Sequence, residues 1–299
     1  MDVFGIVAGE QRAYLRAQAV RAALELGLPG ALPGTPGEAA RALGLRGARR
    51  LRRLLDVLAL FGDADRSGDR FSLKPLPRPP PSPDAGWGRL AEVIRTDRPV
   101  PEPGVGGEGD PEALRRFHAY LASAGAEPAR ELWEQARVQG PLLDLGGGTG
   151  TYARAFLDRH PGERAVLADR PAVLALSTLP EKLPLNLLST EYSKDKFGCV
   201  LICNILHLFG PEQARENVQI AWKALRPGGI LIVKDLLIEP DRSGPAEGVL
   251  FALNMALFTE QGDVHDPATL EGFLGPCQRL WLASSPGSIV LMTQPAEPS

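Results

Sequence analysis

A carboxylate, a run of glycines, a second carboxylate and a histidine are the residues whose types and spacing could support chemistry. Asp144, Gly146, Gly148 and Gly150 form D-x-G-x-G-x-G within LLDLGGGTGTYARAFL. An apolar run precedes the motif and an amphipathic one follows, so it reads as strand, turn and helix. Glycine permits the sharp turn and lets a ligand touch the backbone. The helix start offers free N–H groups. Asp169 ends the next apolar run, RAVLAD, one strand–helix–strand step later. A carboxylate there can accept both hydroxyls of a ribose. His207 follows the apolar run FGCVLICNIL, read as a strand with the histidine at its carboxyl end. Open α/β sheets place ligands at that end, and an imidazole titrates where proton transfer needs it.

Two nucleoside cofactors suit this pattern. A dinucleotide requires G-x-G-x-x-G, and GTGTYA from Gly148 to Ala153 is a formal match. Asp144 argues against it, because a carboxylate facing a pyrophosphate repels it. The same carboxylate suits a cationic amino group. S-adenosylmethionine carries an ammonium and a sulfonium and no phosphate. A tight turn without any ligand is the third reading.

These residues need elements to hold them. The chain has 299 residues, enough for two domains. Its composition is that of a globular protein, and a net charge of −3 gives no global field for nucleic acid or anionic lipid. The three cysteines, Cys199, Cys203 and Cys277, read as buried thiols, with no metal site. Neither a signal peptide nor a membrane-length apolar run is present, so a cytoplasmic protein is expected. Residues 11–28 have helical periodicity. Thr35, Pro36 and Glu38 form a capping-box start. RGARRLRRLLDVLALFG reads as a third helix ending at Gly62, and DADRSGDRFSL as a small hairpin. Three helices and a hairpin outline a winged helix over 1–74. Arg49, Arg50, Arg52 and Arg53 on its third helix read either as a groove-binding surface, making the chain a DNA-binding regulator, or as a solvated face; the second is favoured and no nucleic acid is expected.

Ten prolines between 75 and 111 make an extended linker, followed by one or two helices with a break near Gly125 or Pro128; together they span 75–139. From 140 to 299 strands and helices alternate. GPLLDL, RAVLAD, LPLNLLS, FGCVLICNIL, ILIVKDLLI and SIVLMTQ read as strands, with helices at TYARAFLDRH, RPAVLALSTL and GPEQARENVQIAWKAL. Continuous apolar strands between helices argue for an α/β fold with a parallel sheet covered on both faces.

Five segments in order, LLDLGGGTG, LADRPAVL, CNILHLF, ALRPGGILIVKDLL and LFALNMALFTEQGDVHDPATLEGFL, resemble the class I S-adenosylmethionine-dependent O-methyltransferases. The similarity is to the branch with plant caffeate, acetylserotonin and bacterial small-molecule methyltransferases. The resemblance implies a Rossmann-like sheet and an N-terminal, mainly helical winged-helix dimerisation domain, hence a homodimer. It implies S-adenosylmethionine as cofactor and a small, aromatic or polyketide-like hydroxyl compound as acceptor. It assigns Asp144, Gly146, Gly148, Gly150, Asp169 and Asn204 to the cofactor. Glu191 and Tyr192 stand where the family has an aspartate and an aromatic on the adenine. His207 matches the general base and Asp235 an acid that orients it. The family's second acid falls on Val264, flanked by Asp263, His265 and Asp266. The acceptor pocket maps onto Phe117, His118, Leu121, Asn254, Met255 and Phe258.

Overall fold

The computed structural model describes residues 9–79, 86–100, 110–185 and 196–293, and the side chains of these from residue 12 onward. The chain forms two units whose sequences interleave. One comprises Met1–Glu102 and Ile238–Val264, the other Pro103–Leu237 and His265–Ser299. The segment 238–264, which the sequence pattern grouped with the sheet, therefore belongs with the N-terminal residues.

The first unit holds helices α1 (Gly9–Leu26), α2 (Pro36–Ala42) and α3 (Arg49–Leu60), then a hairpin of β1 (Ala64–Ser67) and β2 (Arg70–Leu73). The expected capping box is present: Thr35 Oγ1 accepts the Glu38 N–H, and the Glu38 carboxylate accepts the Thr35 N–H at 2.8 Å. Helices α4 (Leu90–Thr96) and α9 (Ala246–Phe258) complete the unit. Ten consecutive residues of α9, Gly248–Leu257, are buried, as a helix that is apolar all round except for Glu247 and Asn254 requires.

The four arginines of α3 overturn the expectation of a solvated face. The Arg50 side chain is 2% exposed and its Nε donates to Asp97 at 2.8 Å. Arg49 donates to the carbonyls of Glu260 and Gly262. Arg52 pairs with Asp56 and Asp69, and Arg53 with Asp263. Arg242 reaches both Asp56, at 3.1 Å, and Asp263, at 3.0 Å. Guanidinium groups carry several donors in a fixed fork, so one can join carboxylates and carbonyls from separate segments.

The second unit is built on a seven-stranded sheet in the order β5-β4-β3-β6-β7-β9-β8. Strands β3 (Leu142–Leu145), β4 (Ala165–Asp169), β5 (Lys182–Pro184), β6 (Phe197–Cys203) and β7 (Leu225–Leu236) are parallel. Strands β8 (Gln278–Leu280) and β9 (Ser288–Thr293) close one side antiparallel. All seven residues of β6 are buried, as expected for a central strand covered on both faces. One face packs Val200, Ile202 and Val233 with α8 (Pro211–Ala224) and α10 (Pro267–Leu274). The other packs Leu201 and Ile232 with Trp133 and Phe156 from α5 (Pro111–Gln135) and α6 (Thr151–Arg159). Among the described residues no helix is long and apolar enough to cross a membrane.

Three elements differ from their expected form. Helix α5 runs unbroken through Gly125 and Pro128. Proline removes one helical hydrogen bond, but the turn after it buries Leu132 and Trp133, whose indole N–H donates to the Tyr152 carbonyl at 2.8 Å. RPAVLALSTL yields only α7 (Pro171–Leu174). Ser177 draws the chain away, its hydroxyl donating to the Thr149 carbonyl and its own carbonyl accepting from Lys182 Nζ. Finally, β6 ends at Cys203. Asn204 takes a left-handed φ of 56°, and His207 sits on a one-turn 3-10 helix, Leu206–Leu208, beyond the strand.

Candidate functional site

The glycine turn joins β3 to α6 at the carboxyl edge of the sheet. Gly146, Gly148 and Gly150 all have left-handed φ, which makes glycine the fitting residue at each. Gly147 was not singled out in the sequence, yet a Cβ there would lie 2.4 Å from Asp144 Cγ and 2.6 Å from Leu167 Cδ1. The uninterrupted GGG run was the only available signal for it.

Asp144 lies under this turn and is fully buried. Its Oδ2 accepts the N–H of Ala153, in the first turn of α6, at 3.2 Å. Its Oδ1 has no hydrogen-bond partner among the described residues. Burial pushes the carboxyl up to about 7, and the nearby Asp169 adds to the rise. A buried carboxylate with an unmatched oxygen favours a cation above the turn, and it acts through the field rather than by an exposed face.

Asp169 ends β4. Its Oδ2 accepts the Gly148 N–H at 2.8 Å and its Oδ1 the Arg170 N–H at 2.7 Å. The carboxylate is thereby oriented on the turn, and burial raises it above the ordinary range. His118 on α5, expected to line an acceptor pocket, lies against the turn. Its Nδ1 is 3.5 Å from where a Gly148 side chain would begin. Its Nε2 is buried without a partner among the described residues. Burial, with help from Arg170, pushes its titration down to about 4, so the ring is neutral near pH 7. Phe117 packs edge-on against it at 5.5 Å, and Leu121 is half-buried one turn on.

On the opposite face of the sheet, His207 Nδ1 and Asp235 Oδ1 are 2.6 Å apart, both residues buried. Asp235 Oδ1 also accepts the Leu236 N–H at 2.8 Å, and its Oδ2 the His207 N–H at 3.2 Å. Burial alone would raise the Asp235 carboxyl, but His207 and these hydrogen bonds hold it below its ordinary value. An ionised Asp235 accepts a hydrogen bond from Nδ1–H, and in that neutral tautomer the ring lone pair is on Nε2. Such a pair can remove a proton from a hydroxyl.

The remaining expected residues have separate positions. Asn204 Oδ1 accepts from Lys234 Nζ at 3.4 Å. Asn254 and Met255 are buried on α9 in the first unit, and Phe258 ends that helix. The Asn254 amide nitrogen has no hydrogen-bond partner among the described residues. Glu191 and Tyr192 lie outside the described residues. Sequence reasoning also missed the contact from His265, whose Nε2 donates to the Leu206 carbonyl at 3.2 Å.

The O-methyltransferase domain family matches residues 108–276. A tetracenomycin polyketide synthesis 8-O-methyl transferase of Streptomyces glaucescens is 29% identical over 293 residues, covering 86% of this chain and 85% of that protein. Among solved structures, an O-methyltransferase family 2 protein from Planctomyces limnophilus in complex with apigenin aligns with a TM-score of 0.71 at 20% identity, over 98% of this chain and 96% of that one. Human N-acetylserotonin methyltransferase in complex with SAM aligns with a TM-score of 0.58 at 18% identity, over 98% of each chain. Both structures share the fold of this chain, including its central sheet of mostly parallel strands.

Proposed function

This chain belongs to the O-methyltransferase family, and from that premise we propose that it methylates a hydroxyl of a small aromatic or polyketide-like molecule from S-adenosylmethionine. The observation that carries the reading is the buried His207–Asp235 pair, 2.6 Å apart at the carboxyl edge of the sheet. When bound beside the glycine turn, the cofactor would supply an electrophilic methyl on a sulfonium, whose leaving group is a neutral thioether. His207 Nε2 takes the acceptor's hydroxyl proton as the new C–O bond forms, and Asp235 offsets the positive charge that the ring gains. The bare turn at Gly146–Gly148 and the carboxylate of Asp169 fit a nucleoside. The unmatched Asp144 oxygen fits a cationic ligand and disfavours a pyrophosphate. The acceptor class rests on the polyketide-pathway relative.

The same reading makes the N-terminal 1–74 segment a winged-helix dimerisation domain and the protein a homodimer, which light scattering on the purified chain tests. The catalytic reading is tested by incubating the protein with methyl-labelled S-adenosylmethionine and a panel of phenolic and polyketide acceptors. Label should appear in an acceptor, and His207→Ala should lower kcat/KM by about a hundredfold or more while still binding cofactor. Full turnover in His207→Ala would remove the base assignment. Binding of NADH in place of S-adenosylmethionine in calorimetry would remove the cofactor assignment.

A further inference from the structure

The base must be held still, and the turn that carries it is a poor support. Leu206–Leu208 is a single 3-10 turn with two backbone hydrogen bonds of its own, Leu208 N–H to Ile205 and Phe209 N–H to Leu206, each 3.0 Å. Such a turn has weak intrinsic stability. Its orientation is set from outside, at one peptide unit. The N–H of the Leu206–His207 peptide donates to Asp235 Oδ2 at 3.2 Å. The C=O of the same peptide accepts from His265 Nε2 at 3.2 Å. A peptide unit is planar and rigid, so anchoring both ends fixes the plane and the direction in which His207 leaves it.

We infer that His265 is the positioning residue for His207, an inference that rests on the reading of His207 as the base. His265 is buried, and its ring stands edge-on to Phe273 of α10 at 6.0 Å. The next residue, Asp266, caps α10 by accepting the Thr269 N–H. The imidazole is thus fixed by a helix start and an aromatic ring, and it delivers one N–H to one carbonyl. The neighbouring acids serve elsewhere: Asp263 pairs with Arg53 and Arg242, and Asp266 forms the cap. Val264, where the resemblance expects an acid, is apolar and buried. Asp235 is then the carboxylate on the His207 ring, and the His265 N–H supplies the second constraint, on the backbone.

The test uses the full chain with 15N-labelled histidine. Four histidines keep the spectrum assignable. The His207 Nδ1–H bonded to Asp235 should give a far-downfield proton resonance, assigned by its loss in Asp235→Asn. His265→Phe keeps the ring and removes the donor. It should shift or broaden that resonance, speed exchange of the His207 amide at least tenfold, and lower kcat about ten- to a hundredfold with little change in cofactor KM. His265→Gln, whose amide N–H extends to a comparable place, should restore most of each. If His265→Phe fails to fold, His265→Asn serves in its place, being polar but too short, and should behave as expected for the Phe variant. An unmoved resonance and unchanged exchange in a folded variant without the donor would overturn the positioning role, even with His207→Ala inactive. A moved resonance with unaltered turnover would keep the positioning role and overturn His207 as the base.

Discussion

The arginine-rich helix of the first unit and the glycine turn of the second both concentrate polar groups in buried places, and they treat them in opposite ways. Around α3, Arg52, Arg53 and Arg242 share the buried Asp56 and the half-buried Asp263, so each carboxylate meets guanidinium groups from two directions, while Arg50 Nη1 is buried with no partner among the described residues. Burial would raise Asp263, but Arg53 and Arg242 hold it below its ordinary value. Around the turn, Asp144 keeps an unmatched oxygen and is pushed up to about 7, and His118 keeps an unmatched nitrogen and is pushed down to about 4. Matched charge holds a fold together. Unmatched polar atoms beneath bare backbone mark where a ligand completes the structure.

Four experiments would break or sharpen that contrast. The largest effect belongs to the matched region. Asp263→Ala leaves two largely buried guanidinium groups short of a partner and should cost about 3 kcal/mol in urea unfolding. It should leave cofactor affinity per folded molecule unchanged; a loss below about 1 kcal/mol would erase the distinction. Next, Gly147→Ala forces a methyl onto Asp144 and Leu167. About 1–3 kcal/mol of destabilisation is expected, together with weaker S-adenosylmethionine binding in calorimetry; unchanged binding would detach the turn from the ligand.

Asp144→Asn should move ligand and stability in opposite directions. The folded carboxyl titrates near 7, above its ordinary value of 3.8. The stability contributed by its neutral form is therefore complete below the ordinary value and lost as pH rises through about 7. The unliganded Asn variant should gain on the wild type in melting temperature between about pH 4 and about pH 7, while binding S-adenosylmethionine about tenfold more weakly at the upper pH. Parallel pH curves would show that Asp144 does not titrate there. Thr35→Ala removes only a helix cap and should cost about 1 kcal/mol in the same unfolding assay, with no change in binding.

Much of the sheet was legible because its strands are unbroken apolar runs: β3 and β6 are buried along their whole lengths, as LLDL and FGCVLIC foretell. The glycine turn and Asp169 were legible because their chemistry is local, within one strand–helix–strand step. What stayed hidden depends on partners far along the chain. Arg53 and Asp263 are 210 residues apart, so spacing could not show that α3 turns its arginines inward. His265 acts on a carbonyl 59 residues away, and a carbonyl leaves no mark in sequence. Pro128 read as a break because propensity sees only the local hydrogen bond, while the packing of Leu132 and Trp133 decides. The short α7 followed from one serine side chain that bonds backbone two ways.

The place of β9 in the sheet bears on how the chain is made. Strand β9 lies between β7 and β8, and among the described residues it alone covers the outer edge of β7, from Leu231 to Leu236. A nascent or truncated chain that stops before Ser288 presents that apolar edge with its hydrogen bonds unpaired, a template for pairing with other chains. The sheet of this enzyme therefore closes on that side only once Ser288–Thr293 has been made.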